Sequence, residues 1–199
     1  KVLDTPRFGM YMSIQEYAAE KLKTGPWPEP DTDTVKAVRL RHATYFSTLG
    51  TRSHLKSLLI HGGVARLWRL RCDIENLVAG AHAGLEYNAG DVATNCAIAT
   101  ATGLEAKGVA EVLLMQVQEA VQVGAAMTAR LLDTRGAVLR QQGHLKESLQ
   151  QLEQAQAIHR ELGDLEREAN SLCEIAAVYR NWGQMDEALK LTEQALVLG

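Results

Sequence analysis

The sequence predicts an all-α protein made of antiparallel helical hairpins, and three observations carry that prediction. All 4 prolines (Pro6, Pro26, Pro28 and Pro30) lie in the first 30 of 199 residues, so the rest of the chain is free of the residue that breaks helices. Aromatic residues make up only 5%, and β-branched alternation is scarce beyond residue 15, which argues against a sheet. The third observation is a recurrence about 40 residues long, in which Gly143 and Gly183 occupy equivalent places.

Taken from the amino end, Phe8 to Leu22 reads as a short strand running into an amphipathic helix, with Ile14, Tyr17, Ala18 and Leu22 on one face. Pro26, Pro28 and Pro30 at alternate positions then favour extended backbone and forbid helix, which makes residues 24–33 a linker. Asp33 or Thr34 can cap the helix that follows, which carries Arg39, Arg41, His42, Tyr45 and Phe46. Residues 34–88 read as a helical connector and residues 89–199 as repeats.

Within the repeats, the unit 129–168 contains Leu132, Gly136, Leu139, Gly143, Ser148, Leu152 and Ala155. The unit 169–199 matches it with Leu172, Ala176, Tyr179, Gly183, Ala188, Thr192 and Ala195. A small residue seven positions before each glycine lets two helices approach, and the glycine ends the first helix in left-handed backbone. Small residues five and twelve positions after it sit where the second helix packs on the first. Each unit is thus a helical hairpin. Another step back of 40 residues puts Gly103 in register and Cys96 at the small-residue position. This defines a degenerate third unit, 89–128, with a second helix over roughly 105–122.

The second unit resembles the tetratricopeptide repeat, with Leu172, Ile175, Ala176, Tyr179, Gly183, Ala188 and Ala195 at the family's positions. The first unit departs at Arg135, where the family has an aliphatic residue, and at Leu139, where it has Tyr. Neither unit has the family's late Pro. Six residues beyond the usual length, His159 to Asp164, make these look like longer-helix variants. Phe8 to Leu22, Arg41 to Phe46 and Asp73 to Gly80 further resemble the stretch of bacterial STAND-type signal-transduction ATPases where a winged helix passes into helical repeats. The resemblance implies a right-handed solenoid of stacked hairpins, with residues 1–23 as a short winged-helix remnant and an ATPase upstream. It also implies a sensor or regulatory role. No Gly-x-x-x-x-Gly-Lys-Ser/Thr loop is present, so no phosphate cradle of that kind is expected within the chain.

Family groove positions fall on Arg130, Asp133, Ala137, Arg140 and Gln141 in one unit, and on Asn170, Cys173, Ala177, Arg180 and Asn181 in the next. The resemblance therefore implies a partner-binding groove of Arg130, Asp133, Arg140, Gln141, Asn170, Arg180 and Asn181. Ala137 and Ala177 stand where carboxylate-gripping repeats have Asn. Arg140 and Arg180 remain to bind an acidic or polar peptide by charge-assisted bonds, unless solvent or Asp133 and Glu174 satisfy them.

Chemistry beyond binding is not expected. The six histidines show no His-Glu-x-x-His and no metal-ligand spacing with cysteine, and no Gly-x-Ser-x-Gly accompanies His54, His61, Ser53 or Ser57. Glu166/Glu168 and Asp186/Glu187 read as solvated helix starts. No cofactor, metal or enzymatic activity is implied.

Charge is uneven: residues 1–71 carry 12 basic against 6 acidic residues, residues 72–128 carry 1 against 7, and residues 129–199 carry 8 against 11. The basic first third either contacts nucleic acid, which is the less favoured reading, or faces the acidic segment after it, or simply keeps the helices soluble. Three separated cysteines without a CxxC indicate a reducing, cytoplasmic setting, and neither a signal peptide nor a membrane span is read. Starting at Lys1 and stopping in mid-pattern at Gly199, the chain is expected to be a fragment. Its last helix should then expose an apolar face (Leu196, Val197) that favours self-association. As an alternative role, the repeats would form an autoinhibitory lid on the ATPase.

Overall fold

A computed structural model describes residue 20, residues 32–104 and residues 108–198. The winged-helix segment apart from Glu20, and most of the linker, lie outside the described residues. Those described form ten α-helices and one 3-10 turn, with no strand among them. In order they are α1 (Thr32–Ser47), the 3-10 turn (Thr48–Gly50), α2 (Arg52–Ser57), α3 (Gly63–Cys72), α4 (Ile74–Glu86) and α5 (Gly90–Leu104). Then come α6 (Gly108–Ala120), α7 (Ala125–Gln141), α8 (Leu145–Glu161), α9 (Leu165–Asn181) and α10 (Met185–Leu198). The first of these begins at Thr32, earlier than a cap at Asp33 or Thr34 allows, and places Asp33 in the first turn, where the helix dipole favours an anion.

From α4 onward each helix packs on the next, and α1 packs on α4 and α5, around two apolar clusters. The larger one centres on α5, a helix with buried residues on every side (among them Ala93, Cys96, Ala97, Ile98 and Thr100), as expected of one enclosed all round. Glycines set the spacing there: a Cβ on Gly84 would come within 2.6 Å of the Ala93 backbone nitrogen, so α4 and α5 meet backbone to backbone. Near Gly80 the helices α1, α4 and α5 converge, and the Cys96 thiol donates to the Ala43 carbonyl at 3.7 Å. Burial pushes that thiol up to about 12. Cys72 and Cys173 are exposed. At pH 8 a chromogenic disulfide reagent should therefore titrate two thiols in the folded protein and the third only in denaturant. Three equally fast thiols would contradict this packing.

The smaller cluster holds α8, α9 and α10 together through Leu152, Ile175 and Val178, with Leu145, Leu149, Tyr179 and Leu191 packed on it, while α7 adds Leu131 and Val138 to the larger one. The small residues of the 40-residue pattern are all buried: Gly136, Ser148, Ala155, Ala176, Ala188 and Ala195. Ser148 Oγ donates to the Gly136 carbonyl at 2.7 Å, which adds a polar tie across the first hairpin.

Three turns separate these four helices, and they are built alike. Gly143, Gly163 and Gly183 have φ of 85°, 68° and 77°. After each, the next residue's N–H bonds back across the turn: His144 to Leu139 O, Asp164 to His159 O and Gln184 to Tyr179 O, at 2.9–3.0 Å. This is the Schellman closure, for which glycine is suited because left-handed backbone costs it nothing. Asn88 (φ 56°) closes α4 in the same way, with Ala89 N–H donating to Gly84 O at 2.8 Å.

Gly103 does not belong to this set. It lies inside α5, without positive φ, and its missing side chain makes room for Ile74, whose Cδ1 would be 2.6 Å from a Cβ. The register drawn through Gly103 therefore fails: it is a close-approach glycine rather than a helix stop. The helix expected over roughly 105–122 is found as α6, Gly108–Ala120, and α7 starts at Ala125, four residues before the expected edge of the first full repeat. The six residues from His159 to Asp164 end α8 and form the next Schellman turn, so the extra length sits in helix and turn rather than in a loop.

Candidate functional site

The groove positions lie on α7 and α9, the first helices of the two hairpins, and the structure divides them. On α7, Arg130 is half-buried and donates from Nη1 to Asn95 Oδ1 at 3.1 Å and from Nη2 to the Gly50 carbonyl. Its pKa is lowered, chiefly by burial, with the charges of Arg167 and Arg52 adding to the effect. Asp133 accepts twice: from Ser171 Oγ at 2.7 Å and from His159 Nε2 at 2.8 Å. His159 is 2% exposed, so one carboxylate joins α7, α8 and α9 beneath the groove surface. Arg140 donates to Glu174 Oε2 from Nη2 at 3.0 Å and from Nε at 3.2 Å. Of the two ways open to Arg140, the protein uses the internal carboxylate.

The remaining positions differ. Gln141, Asn170, Arg180 and Asn181 are exposed, and none of their side chains has a hydrogen bond or ion pair among the described residues. Cys173 is exposed between them and Ala177 is half-buried. Asn170, Arg180 and Asn181 on α9 and Gln141 at the end of α7 are thus open, whereas Arg130, Asp133 and Arg140 of α7 are tied into the protein.

At the start of α9 a second set of charges meets the groove. Asp164 caps this helix, its Oδ1 accepting from the Arg167 backbone N–H at 3.2 Å. Its other oxygen accepts from Arg52 Nη1 at 3.2 Å, while Arg52 Nη2 reaches Glu166 at 2.7 Å and Lys56 Nζ reaches the same carboxylate at 2.6 Å. The Glu166 pKa is lowered, first by the Lys56 hydrogen bond and then by the charges of Arg52, Lys56 and Arg167. Glu168 is not a solvated helix-start residue as expected: it is buried and accepts from Arg160 Nε at 2.7 Å. Spacing within the sequence held no sign of Arg52, Asp164 or Glu166 as partners, because they lie more than 100 residues apart. The Asp133–His159–Ser171 cluster was equally hidden.

Among the described residues of the basic first third, Arg39, Arg52 and Lys56 meet carboxylates within the protein. Arg39 pairs with Glu86 at 2.7 Å, and Arg66 donates to the carbonyls of Ser57, Ile60 and His61. Among the described residues no group of three or more His, Cys, Asp or Glu is placed to hold a metal, and no helix is long and apolar enough to cross a membrane.

Helical hairpins with glycine stops and small residues at the crossing points give α7 to α10 an all-α, TPR-like helical-repeat fold. Residues 127–197, which span nearly all of α7 to α10, match the family described as Tetratricopeptide repeat. No match was found among curated proteins or among solved structures. Tetratricopeptide repeats generally mediate protein–protein interaction and are typically non-enzymatic.

Proposed function

We propose that this chain is a protein–protein interaction module whose concave groove binds a peptide or protein partner, as the sensor or regulatory part of a larger signalling ATPase. The observation that carries the binding role is the open row on α9: Asn170, Arg180 and Asn181 stand exposed and unpartnered, 10 or 11 residues and three helical turns from end to end. Unpartnered polar groups on a rigid helix are ready to hydrogen-bond an extended peptide without first breaking internal contacts. Arg180 is the strongest of them for an acidic or polar ligand. Arg140 contributes by exchange, giving up Glu174 when a ligand carboxylate arrives. Self-association through the outward side of α10, where Met185, Leu189, Leu196 and Val197 are exposed, belongs to the same reading. So does a cytoplasmic setting, which rests on three free thiols.

A pull-down from lysate with the immobilised chain, beside the Arg140→Ala/Arg180→Ala variant, tests the groove. A partner retained by the unsubstituted chain and lost from the folded variant is the expected result. Equal retention by both would discard the groove assignment. The ATPase role is tested separately, by ATP turnover of the parent protein with and without residues 89–199; equal turnover would end it.

A further inference from the structure

α2 meets the α8–α9 turn and the start of α9 at a point where the repeat pattern calls for nothing. On one side α2 is firmly seated. Leu55 and Leu58 pack on the larger cluster, Arg66 grips the carbonyls of Ser57, Ile60 and His61, and Gly50 lies so close to the Asn95 carbonyl that no side chain would fit. On the other side, among the described residues, ion pairs hold it: Arg52 to Asp164 and Glu166, and Lys56 to Glu166. These groups are between one-third and just over one-half exposed, so water and salt screen them and each pair adds little. Arg130 and Arg167 act on the same spot, which gives four cations against two carboxylates.

We propose that Arg52 and Lys56 form an electrostatic latch that closes the mouth of the groove against the α8–α9 turn, and that a polyanionic peptide opens it by taking the same cations. Asp164 and Glu166 are then internal stand-ins for the ligand's acidic side chains. The excess of positive charge is what lets an acidic segment compete with them, and it disfavours a basic one. Opening separates the turn from α2 while α2 stays on its own bundle, so the ligand widens the groove mouth as it binds.

The test uses the whole chain and a fluorescein-labelled octaglutamate, read by anisotropy at low salt. Asp164→Asn/Glu166→Gln removes the internal competitors and keeps the Asn cap on α9, and it should bind the probe about tenfold more tightly than the unsubstituted chain. Glu187→Gln/Glu193→Gln on α10 makes the same change in net charge elsewhere and should leave binding within about twofold. Hydrogen exchange over residues 160–168 should quicken in the first variant, while its far-UV circular dichroism and the exchange of α5 stay as in the unsubstituted chain, which shows that it folds. Equal affinity of the first variant and the unsubstituted chain, including no binding by either, would overturn the proposal, as would exchange over residues 160–168 left unaltered. The pull-down reads Arg140 and Arg180 instead, so failure of the groove assignment and failure of the latch are distinguishable.

Discussion

Replacing Leu152 with alanine should lower the unfolding free energy by about 2–5 kcal/mol, in the upper part of that range. Leu152 is fully buried at the centre of the smaller cluster, and its Cγ would be only 2.6 Å from a Cβ placed on Gly136. Truncation therefore leaves a void beside a glycine, which has no side chain to move into it. The same geometry gives a sign test. Gly136→Ala alone should destabilise, because the new methyl collides with Leu152. In the Leu152→Ala background it should stabilise by about 1 kcal/mol, since it fills space and alanine favours helix over glycine. Urea unfolding followed by far-UV circular dichroism measures the double-mutant cycle. Simple additivity would show that the α7–α8 crossing is not as close as described.

The second large effect is expected at Asp133. Alanine there removes the acceptor of both Ser171 Oγ and the buried His159, two donors that are almost wholly shielded from water. An orphaned buried donor costs about 1–3 kcal/mol, so the pair should cost roughly 3 kcal/mol in all. Asparagine keeps one acceptor and should recover about half of that. Measured loss below about 0.5 kcal/mol, the range of an ordinary surface substitution, would show that Asp133 is available to a ligand rather than committed to the interior.

Asp133 also shows where sequence reasoning reached its limit. Its position on the inner row of α7 followed from the repeat, but whether a groove position faces a ligand or a neighbouring helix depends on side chains from other units. His159 and Ser171 belong to α8 and α9, and no local spacing announces them. Arg130 was hidden for the same reason, since its partners are Asn95 and the Gly50 carbonyl. Arg180 and Asn181, at the end of α9, are exposed and have no side-chain partner among the described residues.

The helical hairpins were far more legible, because each depends on local rules. Glycine stops at Gly143 and Gly183 and the buried small residues around them follow from helix geometry alone. Gly103 misled because glycine serves two purposes, left-handed backbone and close approach, and sequence does not say which. The structure assigns it to the second by bringing Ile74 against it.

The three Schellman turns fall every 20 residues, at Gly143, Gly163 and Gly183, and α7, α8 and α9 are each 17 residues long. The chain thus has a spacing of one helix and a function of two. Removing or duplicating 20 residues would keep every turn intact and let every helix form, yet it would exchange inner and outer layers for all that follows. Only changes of 40 preserve the face presented to a partner, so this array can grow or shrink by pairs of helices and not by one.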